Sequence, residues 1–174
     1  MLTQLEQTWK NKTMRGIAKL GLMVAVAASG AAAQDAITLK ADGLTCAVRG
    51  WSFGATGAPA VATGSAAKSQ ITNLVTARQL DDCSVKFFES AVRGLRFNQV
   101  TLTQTDPSTG VDLIKVDLQN VSISSYQIAG DTTSPNPGES VAFAFMRISV
   151  TSRKPSGAVI ASFSWDLQKS MTPP

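Results

Sequence analysis

Residues 111–129 read Val-Asp-Leu-Ile-Lys-Val-Asp-Leu-Gln-Asn-Val-Ser-Ile-Ser-Ser-Tyr-Gln-Ile-Ala, and their alternation decides the fold class. Ile114, Val116 and Leu118 fall on one face, Lys115 and Asp117 on the other, which is the two-residue period of a half-buried strand. Asn120 then precedes a second alternating run, Val121–Ala129, with Ser122 and Ser124 outward. Upstream, Val100–Thr105 reads as a strand that enters a hairpin turn at Asp106-Pro107-Ser108-Thr109-Gly110. Downstream, the Pro/Asn/Gly-rich stretch Gly130–Gly138 is a loop, and Val141–Thr151 is apolar on both faces. Val141, Phe143 and Phe145 line one face of that run; Ala142, Ala144, Met146 and Ile148 line the other. Such a strand needs two dry surfaces. It is either a central strand beneath a helix or a strand whose second face, with Val141, Phe143 and Phe145, packs on a neighbouring subunit. A turn at Pro155-Ser156-Gly157 leads to a last strand carrying Val159, Ala161, Phe163 and Trp165.

Towards the N-terminus, Ile37–Lys40 is a short strand, Asp42-Gly43 a turn, and Thr45–Phe53 a second strand. Gln70–Arg78 returns to strand character through Ile71, Leu74 and Val75. Between them lies Gly54–Ser69, built of Gly, Ala, Ser and Thr with one proline, and with Lys68 its only charge. Apart from Val61 nothing there builds a core, so it reads as an exposed loop or a loosely paired hairpin arm. One helix is predicted at Ser84–Arg93, with Asp82 or Ser84 as its N-terminal cap and Gly94 in the left-handed C-terminal position. Its apolar face is Val85, Phe88 and Val92, with Ala91 beside them and Phe87 near the border. The fold expected is mainly β: a small antiparallel barrel or sandwich of about eight strands with one flanking helix.

The first 33 residues read as an address. Lys10, Lys12, Arg15 and Lys19 precede the apolar run Leu20–Ala28, and small residues follow, ending Ala31-Ala32-Ala33. That is the layout of a secretory signal peptide, and the run is too short to span a bilayer comfortably. Translation starts at Met1 or Met14, and cleavage after Ala33 leaves Gln34 first, so residues 34–174 form the mature domain. The leader holds four of the 16 basic residues and one of the 12 acidic ones, which leaves 12 basic and 11 acidic residues in the mature part. A net charge near +1 with no Lys/Arg cluster does not make a nucleic-acid-binding face.

Chemistry-bearing motifs are few. The chain has no histidine, so it lacks the commonest general base and metal ligand. Gly50-Trp51-Ser52-Phe53-Gly54 matches the nucleophile elbow G-x-S-x-G, but that motif needs a histidine base and a strand-to-helix turn. The aspartates show no calcium-loop spacing, and no phosphate-binding Gly-rich loop is present. No catalytic, cofactor-binding or metal-ligating residue is therefore assigned. Cys46 and Cys83 leave two readings: a disulfide permitted by export, or two separate buried thiols.

Taken in order, the residues of the mature chain resemble the haemolysin-coregulated protein (Hcp) family, the tube subunits of type VI secretion systems. Val48-Arg49-Gly50-Trp51-Ser52-Phe53-Gly54 is similar to the family's Trp-Ser-aromatic-Gly strand, and the small-residue stretch after it to its extended loop. Asp82, the Ser84–Arg93 helix, Gly94 and Phe97 resemble its helix segment, and Val116–Ser125 its following strand pair. Glu139, Phe143 and Phe145 match a glutamate-led late strand, and Trp165 a near-terminal aromatic. The resemblance implies a non-enzymatic barrel with a helix, six copies closing into a ring, and rings stacking into a hollow tube with room for protein cargo. It also implies that the extended loop, here Gly54, Ala55, Gly57, Pro59, Val61, Gly64 and Lys68, lies at the contact between rings. The leader departs from the family pattern and implies assembly in the periplasm or outside the cell. Two other functions remain open: a monomeric periplasmic barrel that binds a small ligand, and a true type VI tube or effector-carrier subunit whose start has been misread.

Overall fold

A computed structural model describes residues 36–57, 70–130, 132 and 135–169. The leader, and the part of the small-residue arm holding Pro59, Val61, Gly64 and Lys68, lie outside the described residues. Eleven strands and one helix appear among them: β1 (Ile37–Ala41), β2 (Leu44–Ala47), β3 (Gly50–Ser52), β4 (Ala55–Thr56), β5 (Gln70–Ile71), β6 (Leu74–Gln79), α1 (Ser84–Arg93), β7 (Arg96–Thr105), β8 (Asp112–Ala129), β9 (Gly138–Ala144), β10 (Arg147–Arg153) and β11 (Val159–Asp166). All pairings are antiparallel.

The two alternating runs around Asn120 are one strand, β8, not two. Asn120 takes a left-handed backbone, φ 53°, and its Oδ1 accepts a 2.8 Å hydrogen bond from Arg96 Nη1. Asparagine tolerates that conformation better than most residues, so the strand bends there without stopping. A second irregularity falls between Ile123 and Ser125. The bent strand serves two sheet segments: its first half pairs with β7 and β10, its second half with β9.

The main path runs β2-β1-β7-β8-β9-β6-β3, with β10 and β11 branching from β8. Its two end strands, β2 and β3, are consecutive in the chain. The single strand expected at Thr45–Phe53 breaks at Val48–Arg49, where the chain passes from one segment to the other. Val48 N–H donates to the Ile37 carbonyl at 3.0 Å and Arg49 N–H to the Ala77 carbonyl at 2.9 Å. The sheet thus folds over on itself as a sandwich around one core. Leu39, Leu102, Val116 and Leu118 from one segment meet Leu74, Val141 and Phe143 from the other, all fully buried.

The doubly apolar run Val141–Thr151 also divides. β9 ends at Ala144 and β10 begins at Arg147, and at the break Met146 N–H donates to the Gln119 carbonyl at 3.1 Å. β9 goes to β6 and β8, β10 to β8 and β11, so the run visits both segments instead of needing two dry faces. Val141, Phe143 and Phe145 are buried in the chain's own core. The strand expected at Gln70–Arg78 likewise divides, into β5 and β6.

Candidate assembly surfaces

The helix is positioned by a buried polar cluster that the sequence did not single out. Arg78 on β6 and Glu139 on β9 are direct cross-strand neighbours, and both side chains are fully buried. Arg78 Nε donates to the Ala47 carbonyl at 3.0 Å and Nη2 to Asp81 Oδ2 at 2.5 Å. Nη1 lies 3.1 Å from Glu139 Oε1 but off the line of a hydrogen bond, so that contact is an ion pair. The guanidinium also stands 5.0 Å from the centre of the Phe87 ring. Tyr126 on β8 donates its hydroxyl to Glu139 Oε2 at 2.6 Å. Burial, then the Glu139 carboxylate, push the Tyr126 pKa up to about 12.

Asp81 extends this cluster to the start of α1. Its Oδ1 accepts from Cys83 N–H at 2.8 Å, and its own N–H donates to Ser84 Oγ at 2.9 Å. The capping role expected of Asp82 or Ser84 therefore falls to the turn built by Asp81, while Cys83 occupies the N-cap with no side-chain cap bond. Cys83 is bonded to Cys46 on β2, with Cα atoms 6.1 Å apart. At the other end Gly94, φ 64°, supplies the left-handed turn expected of it, and its N–H reaches the Ser90 carbonyl.

Seated this way, α1 turns a different face inward from the one its periodicity marks. Ser84, Phe87 and Ser90 are buried, and Phe87 packs edge-on against Phe97 and Phe143 at 5.9 and 5.6 Å. Val85, Phe88 and Val92 remain 73%, 53% and 70% exposed. Their ridge continues onto β8, where Phe88 lies 5.5 Å from Tyr126 and where Ile128 is also exposed. Phe87, with its edge-on ring contacts and the Arg78 guanidinium over its face, fills the space between the two sheet segments.

A second apolar surface lies on the β10–β11 wing. Residues opposite one another on antiparallel strands share a face. Along the row Val116, Val150, Phe163 the face passes from fully buried through partly buried to 51% exposed. Phe163 stacks on Trp165 at 6.1 Å; Val159 and Ile160, beyond the register shift at Ser152/Arg153, are also exposed. This is core-forming sheet carried past the edge of the segment that covers it. Among the described strands β11 pairs only with β10. Its end is tied down by Asp166, which accepts from Arg147 Nε at 2.8 Å and from the N–H groups of Gln168 and Lys169; the Arg147 bond first among these holds its carboxyl below the usual range.

Of the small-residue arm, the structure shows the base. Ala55 and Thr56 pair with Ile71 and Gln70 as a separate two-stranded sheet, and Gly54 and Thr72 exchange hydrogen bonds. Ser52 sits in extended β3 opposite Val75, not on a strand-to-helix turn. A cleft of about 270 Å³ opens between Arg49, Arg78, Gln79, Ala129, Gly130, Asn136 and Gly138. No described helix is long and apolar enough to cross a membrane.

The model of the family described as "Type VI secretion system effector, Hcp" matches residues 41–151. The fold is similar to a solved type six secretion system protein at TM-score 0.69 and 22% identity, over 78% of this chain and 97% of that one. It is similar to Hcp1 from Salmonella typhimurium at TM-score 0.65 and 18% identity, over 77% and 95%. It is also similar to a type VI secretion system effector from Yersinia pestis at TM-score 0.62 and 17% identity, over 75% and 98%. Comparison with curated proteins gave no match. With the family model covering well over half of its residues, the chain belongs to the Hcp family.

Proposed function

We propose that this chain is a non-enzymatic tube subunit of the type VI secretion kind, whose copies close into rings, six by family resemblance, that stack into a hollow tube able to carry protein cargo. The observation that carries the reading is the outward placement of large apolar side chains on rigid elements. Val85, Phe88 and Val92 on α1 and Val159, Ile160 and Phe163 on β11 are all more than half exposed in the single chain. A monomer gains nothing by holding such surfaces in water, whereas a ring buries them at every contact. A monomeric ligand-binding barrel is disfavoured by the side-chain-filled core between the two sheet segments. Negative-stain microscopy of the purified mature chain is expected to show rings and stacks of rings; monomers at high concentration would sink the proposal.

Export completes the proposal. The leader at 1–33 directs the chain out of the cytoplasm, and a Cys46–Cys83 bond suits an oxidising compartment. Intact-mass analysis of periplasmic or secreted protein is expected to place the N-terminus at Gln34. A full-length cytoplasmic product would count against it.

The arm is the ring-to-ring element of this proposal. Small side chains let a backbone lie close against another surface at little entropy cost, and an added partner satisfies backbone groups otherwise left to water. Deleting Ala55–Ala67 removes β4, whose two residues are exposed. The shortened chain is expected to keep its melting transition and its single rings while losing stacked tubes. Long tubes of normal appearance would remove the arm from this role.

A further inference from the structure

We infer that Thr72, Asn73 and Ser124 are positioning residues: together they form a polar mount that fixes the direction in which the small-residue arm leaves the sheet. The tube-subunit reading enters only in what the arm meets beyond its own chain; the mount stands on the geometry at the arm's base.

The arm departs through a break in register. β3 pairs with β6 as far as Ser52 opposite Val75, and the β4–β5 ladder resumes with Ala55 opposite Ile71. Two residues on the outgoing side, Phe53 and Gly54, therefore face three on the returning side, Thr72, Asn73 and Leu74. An extra residue of this kind bends its strand and re-aims side chains. A second such place lies on β8, where Ile123 pairs with Phe143 and Ser125 with Ala142, so Ser124 is the extra residue. The two breaks lie level with one another. Phe143 of β9 is flanked by Leu74 on one side and Ile123 on the other, the chain neighbours of Asn73 and Ser124. Asn73 Nδ2 bridges the breaks by donating to Ser124 Oγ at 2.7 Å, and that hydroxyl donates in turn to the Ala142 carbonyl at 3.2 Å.

Thr72 closes the other half of the mount. Its hydroxyl accepts from Gly54 N–H at 2.7 Å and donates to the Gly54 carbonyl at 3.2 Å. The same carbonyl accepts from Thr72 N–H at 2.8 Å. The outgoing strand is thus held to the returning one, and the returning one to β8 and β9. Phe53 and Ile71 pack on the core at the arm's base, but apolar contacts attach without setting a direction. Ala55 and Thr56 are exposed, so β4 takes no direction from packing on the domain. Hydrogen bonds are directional, and each adds little net stability. The mount therefore orients the arm without being needed for the fold. An arm held in one direction loses less freedom when it meets a partner surface.

Hydrogen exchange of the whole chain, at a dilution where no stacks form, tests the mount through Ser124→Ala, Asn73→Ala and their double variant. In each, exchange of the amides from Gly54 to Gly57 and from Gln70 to Thr72 is expected to rise about fivefold, the effect of one lost hydrogen bond. The melting temperature is expected to stay within about 3 °C, and the amides of β7 to keep their rates. The double variant is expected to match either single one, because both act through the same bond. Thr72→Val is expected to raise the same rates, and Thr72→Ser, which keeps the hydroxyl, to leave them unchanged. Unchanged exchange at the arm's base in Ser124→Ala, or faster exchange spread across the sheet with a lower melting temperature, would overturn the inference. Micrographs read the arm's role separately, and shorter stacks are expected in Ser124→Ala. Stacks of normal length alongside faster exchange would leave the mount standing and remove the arm from ring-to-ring contact. An unsubstituted chain that forms no stacks overturns the tube reading, and the exchange rates still decide the mount.

Discussion

Reduction of the Cys46–Cys83 bond is expected to lower the stability of the folded chain by about 4 kcal/mol, the loop-closure entropy of a cross-link of this span. The two cysteines are 37 residues apart, and the segment between them holds the arm, β3, β5 and β6. Cross-linking removes many of the conformations open to that segment in the unfolded chain. In the folded chain the bond joins the residue before α1 to β2, an end strand that among the described strands pairs only with β1. Both sulfurs are buried, so mild reductant acts only after local opening. Urea unfolding with and without strong reductant measures the difference, and a midpoint lower by roughly 2 M is expected for a domain of this size. The doubly substituted Cys46→Ala/Cys83→Ala chain should match the reduced wild type to within the small cost of two lost sulfurs. Hydrogen exchange should show amides of α1 losing protection before those of β7 and β8. Identical urea curves in the two conditions would mean that the bond is absent in solution.

What was legible in the sequence depended on whether the signal was local. The helix was, because its period and Gly94 are local features, and Ser84–Arg93 is its observed extent. Its buried face was not. An amphipathic stripe marks residues that leave water, and nothing in the period tells burial in the chain's own core from burial against another copy. Phe87, one residue off the stripe, fills the space between the segments instead. The breaks at Val48–Arg49 and Phe145–Met146 carry no glycine or proline, so β-propensity runs straight through them. They are set by which strand each half pairs with. Arg78 was the missed signal: it shares the inward parity of Leu74 and Thr76 on β6, and a charge at that parity demands a buried partner. Glu139 was noticed only through a family resemblance.

Breaking that pair is expected to cost about 3 kcal/mol in either single variant, Arg78→Met or Glu139→Gln. Each leaves one charge buried among apolar neighbours without its counter-charge. In Glu139→Gln the guanidinium keeps Asp81, the Ala47 carbonyl and the Phe87 ring, which sets the cost towards the lower end of what such losses bring. In Arg78→Met the carboxylate keeps only the Tyr126 hydroxyl among its described partners. Pairing the two substitutions removes both charges together and should recover much of the loss, so the double-mutant cycle is expected to show a coupling above about 1 kcal/mol. Simple additivity would mean that the ion pair contributes nothing beyond packing. A second readout comes from Tyr126, whose pKa lies above its unfolded value. Folding therefore gains a contribution that is fully present below pH 10 and is lost as pH rises through 12. Burial is the larger cause of that shift and Glu139 the next, so in Glu139→Gln the alkaline loss of stability should still begin near pH 10 but be complete at lower pH and be smaller in size. A Tyr126 titration, followed by ultraviolet absorbance, that is unchanged in Glu139→Gln would place the carboxylate away from the phenol and undo this account of how the cluster seats the helix.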